Sequence, residues 1–239
     1  MSDVQIAILA AGLGTRLGLS CPKPLTLLAD GRSILQQQLD SLRGAFADEA
    51  RIVVVVGFKP DLIMTGFPDV LFAYNERYDR TNTARSLLKA LRTSCSGGML
   101  WMNGDVVFDP RLLGGIKPLI EADQTFVCVN TAAVGEEEVK YRVDAEGYVT
   151  ELSKLVTDGL GEAVGINYVA SADKATLIEH LERCGDQDYF ERGIESAIAE
   201  DGLRVGAMDI SDFFVVEVDF AGDLDRANAE VSKTVTPAA

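Results

Sequence analysis

The chain has 239 residues, of which 47% are hydrophobic and 25% are charged, as is usual for a globular protein with a sizeable core. Its formal net charge of −15 disfavours binding to nucleic acid or to an anionic membrane surface, because like charges repel. The four cysteines form no C-x-x-C pair, which argues against a zinc site or a disulfide framework and favours a reducing, cytoplasmic setting.

Short apolar runs alternate with helical patterns through the first half of the chain. The chain starts without a basic n-region, enters a strand-like run at once, and has no apolar stretch of the roughly 18 residues that a membrane helix needs. The predicted strands are Val4–Ala10, Arg51–Val56, Val70–Tyr74 and Met99–Met102, and the predicted helices are Ser33–Phe46 and Asn82–Thr93. Hydrophobic strands joined by helices are typical of a parallel sheet covered on both faces.

The pattern changes after about residue 124. Further strands are predicted at Thr125–Asn130, Val139–Asp144, Tyr148–Lys154, Ala163–Ala170, Arg204–Asp209 and Phe214–Val218, and further helices at Ala172–Arg183, at Tyr189–Ala199 and from Gly222. We therefore expect a single α/β domain over residues 1–232, with a Rossmann-like, mostly parallel sheet and helices on both faces. A small antiparallel elaboration at about 125–170 would support the substrate, and 233–239 would be a tail or linker.

The single histidine, His180, lies in a predicted amphipathic helix, on what reads as its solvent-exposed side. One histidine argues against a histidine-rich metal site, and it makes a Ser-His-Asp catalytic triad improbable.

A glycine-containing loop follows the first strand, and a Pro-Lys-Pro-Leu segment follows the loop. Gly12 and Gly14 allow positive φ and a close approach to a ligand, and their N–H groups could face phosphate oxygens. The loop matches neither a Walker sequence nor a full G-x-G-x-x-G fingerprint, so its glycines alone are weak evidence. Arg16 and Lys23 add positive charge, which favours a phosphate-bearing ligand.

Leu9–Arg16 together with Pro22–Leu25 resembles the signature of nucleotidyltransferases that make NDP-sugars, CDP-choline and related activated alcohols. The resemblance implies that Arg16 and Lys23 hold the triphosphate and serve catalysis. It implies a nucleotide-binding role for Leu9, Ala10, Ala11, Gly12, Gly14, Thr15, Asn82 and Gly104.

Two acidic segments extend the resemblance along the chain. Asp105 follows the fourth strand and matches the family's metal-binding aspartate, while Asp219 matches the second metal ligand, with Glu217 as a helper. Carboxylates that hold Mg²⁺ would relieve the repulsion between two reacting anions. Asp223 and Asp225 could equally be helix caps.

Residues 74–86 resemble the cytidylyltransferase branch, in which Asn82 would lie beside the base, and this favours CTP over UTP or dTTP. On the acceptor side, Lys154 could bind phosphorus oxygens, and Glu162 and Glu191 could meet a hydroxyl or an amine. Tyr189 and Phe190 are candidates for enclosing an ammonium group, although aromatic residues at helical spacing are more often part of the core.

The segments 138–141, 160–168 and 186–193 narrow the resemblance to the cytidylyltransferase domains of bifunctional fosfomycin-biosynthesis enzymes. This implies transfer of CMP from CTP to 2-hydroxyethylphosphonate, and a fused C-terminal catalytic domain. The alternatives are a phosphocholine, aminoethylphosphonate or sugar-1-phosphate nucleotidyltransferase, and a catalytically silent nucleotide-binding scaffold.

Overall fold

A computed structural model describes residues 4–14, 17–18, 20–132 and 138–235. The strands are β1 (Val4–Ala10), β2 (Ala50–Val56), β3 (Leu71–Tyr74), β4 (Met99–Asn103), β5 (Val106–Phe108), β6 (Phe126–Asn130), β7 (Lys140–Val143), β8 (Val149–Ser153), β9 (Glu162–Val169), β10 (Gly206–Asp209) and β11 (Val215–Glu217). The helices are α1 (Ile34–Phe46), α2 (Pro60–Gly66), α3 (Thr83–Thr93), α4 (Arg111–Glu121), α5 (Lys174–Arg183), α6 (Phe190–Asp201) and α7 (Ala221–Val235).

The main sheet has the strand order β10-β6-β9-β4-β1-β2-β3. β1 pairs in parallel with β2 and β4, β2 with β3, and β6 with β10, whereas β9 runs antiparallel between β4 and β6. The predicted α/β fold with a mostly parallel sheet is confirmed. Within the predicted elaboration, β6 and β9 belong to the main strand order, and the β7–β8 hairpin extends from it.

Helices cover both faces of the sheet. In β1, Ile6 and Ile8 join the core beneath α1, α2 and α4, whereas Ala7 and Leu9 join the core beneath α3, α5 and α6. Successive strand residues point to opposite faces, so a continuous apolar run fills both cores. A third cluster joins α7 to β5 and β11. Among the described residues, the structure has no helix long and apolar enough to cross a membrane.

The closing helix α7 runs to Val235, three residues beyond the predicted domain end, and 236–239 lie outside the described residues. β5, α2 and α4 were not predicted from the sequence. β5 is only three residues long, and α4 contains Gly114, Gly115 and Pro118, which weaken its helical pattern.

His180 is buried, not exposed as predicted, with a relative exposure of 1%. It lies with Leu177 and Leu181 on the face of α5 that packs against α6. Its ring nitrogens lie 2.8 Å from Ser196 Oγ and 2.8 Å from Asp201 Oδ2, both on α6. The partner helix thus supplies the polar contacts that a buried imidazole needs, and periodicity within α5 alone does not reveal them.

Candidate active site

A cleft of about 610 Å³ opens at the carboxyl ends of β1 and β4, where ligands bind in open α/β sheets. Its lining includes many of the predicted site residues, namely Leu9, Ala10, Gly12, Gly14, Lys23, Asn82, Gly104, Asp105, Lys154, Glu162, Glu191, Glu217 and Asp219. Ala11 is buried behind the loop. Thr15 and Arg16 lie outside the described residues.

The glycine-containing loop approaches Lys23 closely. Gly14 has a φ of +61°, and a Cβ atom at Gly14 would lie 3.0 Å from Lys23 Cβ. Gly14 therefore meets both requirements that favour glycine, positive φ and close packing. Gly12 does not adopt a positive φ, and its Cβ position is open.

A short turn fixes the backbone of Lys23. Pro22 and Pro24 flank it in a 3₁₀ turn over Lys23–Leu25, and Lys23 itself is buried, with 8% exposure. Gly104 lets this turn approach the sheet, because a Cβ there would lie 2.9 Å from Leu9 O and 3.1 Å from Pro24 Cγ. The glycine of the Asn-Gly-Asp segment thus has a packing role.

The small β5–β11 sheet brings Asp105 and Asp219 together. Asp105 lies between β4 and β5, and Val218 N donates to Asp105 O at 3.0 Å. Because β11 pairs with β5 in antiparallel register, Asp219 emerges beside Asp105. The first turn of α7 fixes Asp219, since Asp223 Oδ2 accepts from the N–H groups of Asp219 and Phe220. Asp223 therefore caps the start of α7, which is the role that the sequence allowed for it.

Lys23 joins the two aspartates. Its Nζ lies 2.6 Å from Asp105 Oδ2 and also contacts Asp219 Oδ1. Burial lowers the pKa of Lys23, but the charges of Asp105 and Asp219 outweigh it and hold the net pKa above its ordinary value. The lysine is therefore a fixed cation.

Glu217 supports the floor of the cleft. Its Oε1 accepts from Gly165 N at 3.0 Å and from Asn103 Nδ2 at 3.3 Å. Burial raises the pKa of Glu217 to about 8, the charge of Asp105 adds to the effect, and the Gly165 N–H opposes it. Glu217 is the predicted helper ligand of the metal, and one of its two carboxylate oxygens is thus already hydrogen-bonded.

The acceptor-side residues gather at the β7–β8 hairpin and the start of α6. Lys154 follows β8, Glu162 begins β9, and Glu191 lies in the first turn of α6. Lys154 Nζ lies 4.9 Å from the centre of the Tyr189 ring. The prediction that Phe190 could enclose a ligand is wrong, because Phe190 is buried and packs edge-on against Trp101, with ring centroids 5.6 Å apart.

Glu138 is a site residue that the sequence reasoning did not single out. It lines the cleft with Lys154 and Glu162. Burial raises its pKa, and the neighbouring Glu162 raises it further. The segment Glu138–Tyr141 contributed to the resemblance, but no pattern distinguished its acid from a surface residue.

Glu191 carries a buried oxygen, Oε2, for which the described residues supply no hydrogen-bond partner. Burial raises the pKa of Glu191 to about 7, and Lys154 only partly offsets this. Between the ordinary pKa of 4.5 and a pKa of about 7, the folded state keeps a proton that the unfolded chain releases. Folding stability is therefore lost as the pH rises through this window.

We expect Glu191→Gln to be more stable than the wild type by about 2 kcal/mol at pH 8, and equal to it near pH 4.5. Gln mimics the protonated acid and removes the cost of ionisation. Urea unfolding followed by the fluorescence of Trp101, the one tryptophan of the sequence, measures both values. Glu179→Gln, at an exposed position of α5, is the control and should change neither. An equal effect of Glu191→Gln at both pH values would contradict the raised pKa.

Asn82 caps α3 at the rim of the cleft. Its Oδ1 accepts from Thr83 N at 2.9 Å, and its backbone N–H donates to Asp186 O. The side chain thus caps the helix, and it also lines the cleft.

Comparisons with known proteins agree with this arrangement. A model of the MobA-like NTP transferase domain matches residues 6–201. The chain is 29% identical over 254 aligned residues to the CMP-5'-(3-aminopropyl)phosphonate synthase of Streptomyces rubellomurinus, covering 96% of this chain and 39% of that protein. It is 38% identical over 179 residues to the bifunctional protein GlmU of Ralstonia nicotianae, covering 74% of this chain and 36% of that protein. The chain thus spans less than half the length of both relatives.

Solved structures share the fold along the whole chain. The inositol-1-phosphate CTP transferase of T. maritima has a TM-score of 0.80 at 17% identity, covering 100% of this chain and 99% of that one. The CTP:phosphocholine cytidylyltransferase of Streptococcus pneumoniae has a TM-score of 0.75 at 16% identity, covering 96% and 99%. The chain therefore belongs to the MobA-like NTP transferase domain family, a family of nucleotidyltransferases.

Proposed function

We propose that this domain transfers CMP from CTP to a small phosphonate and releases pyrophosphate. One observation carries the proposal: Lys23, Asp105 and Asp219 converge in a cleft that also holds the glycine-containing loop. Lys154 and the three glutamates at positions 138, 162 and 191 line the same cleft. A cleft with a lysine and two aspartates beside the loop, and a second polar group across from them, suits a nucleotide and an acceptor.

Asp105 and Asp219, on the side of the cleft that we assign to the triphosphate, suit a magnesium ion. Asp105 Oδ1 is buried, and the described residues give it no hydrogen-bond partner, so it is available as a ligand. Within the described residues, no three acidic, histidine or cysteine side chains group at metal-binding spacing. Mg²⁺ commonly takes one or two carboxylates and completes its shell with phosphate oxygens and water. We propose that Asp105 and Asp219 hold it, with Glu217 in support.

The charge of the cleft also favours a metal. Among the described lining residues the cations are Lys23, Lys154 and Arg226, and they face more acids than they neutralise. A triphosphate adds several further negative charges. Bound Mg²⁺ would neutralise part of the triphosphate and stabilise its reacting phosphoryl group.

The protein's own residues bind and orient the two reactants. An ionised phosphonate oxygen forms the new bond to the α-phosphorus, the bond from that phosphorus to the bridging oxygen breaks, and pyrophosphate leaves. The attacking oxygen already carries the electron pair, so no general base is required. Lys23 is placed to compensate negative charge on the triphosphate, and Lys154 is placed to orient the acceptor.

CTP is the proposed nucleotide. The cytidylyl-type segment around Asn82 supports it, and so do two structural relatives named for CTP-dependent transfer and a sequence relative named for a CMP-phosphonate product. Asn82 would lie beside the base, at the rim of the cleft.

We propose 2-hydroxyethylphosphonate as the acceptor. Lys154 would bind the phosphonate end, and Glu191, with a pKa of about 7, can accept from or donate to a hydroxyl. A second candidate is an aminoalkylphosphonate, favoured by the acidic lining at Glu138, Glu162 and Glu191 and by the relative named for 3-aminopropylphosphonate. Both candidates are small phosphonates that carry a hydrogen-bond donor at the far end.

The test is a product assay with purified protein, Mg²⁺ and each pairing of CTP, UTP and dTTP with a panel of acceptors. The panel contains 2-hydroxyethylphosphonate, 2-aminoethylphosphonate, 3-aminopropylphosphonate, phosphocholine and a sugar 1-phosphate. Mass spectrometry is expected to find the CMP adduct of 2-hydroxyethylphosphonate in the highest yield. A higher yield with an aminoalkylphosphonate would transfer the assignment to the second candidate. A preference for UTP or dTTP with the sugar phosphate would overturn the proposal.

A further inference from the structure

The ammonium group of Lys23 lies at the point where Asp105 and Asp219 converge. It bonds Asp105 Oδ2 at 2.6 Å and contacts Asp219 Oδ1. The side chain is only 9% exposed, and its backbone is fixed by the turn between Pro22 and Pro24. The lysine therefore occupies this position with little freedom at its backbone end.

A divalent cation held by both acids would share these two carboxylates with the ammonium. Mg²⁺ binds carboxylate oxygens at about 2.0–2.1 Å, so an ion held by both carboxylates would lie close to the ammonium. A metal ion and an ammonium at that separation would repel each other, most strongly in a partly buried site. In this geometry the two carboxylates therefore cannot bind the ammonium in its present position and the metal at the same time.

We propose that Lys23 is an internal counter-ion that keeps free divalent metal out of the Asp105–Asp219 pair until a triphosphate offers the ammonium another anionic partner. The inference rests on the proposed function for the triphosphate in this cleft and for the metal at Asp105 and Asp219. Metal and nucleotide would then bind with positive coupling. This role is separate from the phosphate-binding role that the resemblance implies for Lys23.

The test is Mn²⁺ binding to the full chain without nucleotide or acceptor, with free Mn²⁺ measured by electron paramagnetic resonance. Lys23→Met keeps the length of the side chain and removes its charge. We expect this variant to bind Mn²⁺ at least about tenfold more tightly than the wild type. Lys89→Met is the matched control, because Lys89 pairs with Glu76 on the surface, and it should bind as the wild type does. Equal affinities of Lys23→Met and wild type would overturn the proposal.

A second measurement needs no variant. Without nucleotide, we expect the wild-type protein to be half-saturated with Mn²⁺ only above about 1 mM. That concentration lies at the weak end of the dissociation constants of protein sites for divalent cations. Half-saturation below about 0.1 mM would overturn the proposal even if Lys23→Met does not fold. Neither experiment contains CTP or a phosphonate. A failed acceptor panel would therefore count against the proposed function alone, and tight Mn²⁺ binding by the wild-type protein against the counter-ion role alone.

Discussion

Asp105→Asn is expected to lower kcat/KM for CMP transfer by about a thousandfold, comparable to the loss of a principal electrostatic group in other enzymes. The amide keeps the size of the carboxylate and can still contact Lys23 Nζ through its oxygen. It removes the negative charge that we propose for holding the metal. A continuous assay of pyrophosphate release measures the effect, and urea unfolding checks that the variant folds.

The control for Asp105→Asn is Asp69→Asn. Asp69 is exposed and lies in the connection that leads into β3, away from the carboxyl ends of β1 and β4, so its variant should keep wild-type turnover. Retention of more than about a tenth of the wild-type kcat/KM by folded Asp105→Asn would contradict the role given to this residue.

Gly165→Ala is expected to lower kcat by about a hundredfold, the scale reported for a displacement of about 1 Å in a catalytic group. A Cβ at Gly165 would lie 2.2 Å from Asn103 Nδ2 and 2.8 Å from Glu217 Oε1. Both side chains must move, and Glu217 lies two residues before Asp219 on the same segment. The change therefore reaches the aspartate pair without replacing any residue that contacts Lys23.

Gly114→Ala is the matched control for that substitution. Gly114 lies inside α4, and nothing lies within 4 Å of the position that its Cβ would take. Alanine there should leave kcat unchanged and should stabilise the fold by about 0.5–1 kcal/mol, because glycine is unfavourable inside a helix. An unchanged kcat in Gly165→Ala would show that the floor formed by Asn103 and Glu217 does not position the reacting groups.

The parts of the fold that were predicted correctly have strong local signals. β1 is a continuous apolar run, and Ser33 and Asn82 begin α1 and α3 with the side-chain caps that their residue types favour. The loop, Lys23 and Asp105, which the sequence singled out, lie in one cleft, because parallel strands bring their carboxyl ends to a common edge. Local pattern and sheet geometry sufficed for these elements.

The errors arise where a distant segment decides the outcome. His180 is buried because α6 supplies Ser196 and Asp201 as partners. β9 joins the main sheet because it inserts antiparallel between β4 and β6, although its local pattern resembles that of the hairpin strands. Glu138 is a site residue only because β7 pairs with β9 through Lys140 and Glu162. These three features depend on contacts between segments that are distant in the sequence. The spacing of residues along the chain does not reveal such contacts.

The most direct test of the central claim is ³¹P nuclear magnetic resonance of a reaction that contains the protein, Mg²⁺, CTP and 2-hydroxyethylphosphonate. Attack at the α-phosphorus predicts that pyrophosphate and a coupled pair of signals from a new phosphonate–phosphate anhydride grow together in equal amounts. Formation of CDP with a phosphorylated acceptor would show attack at the γ-phosphorus and would contradict the account. CMP and pyrophosphate without an adduct would show hydrolysis, and would contradict it equally.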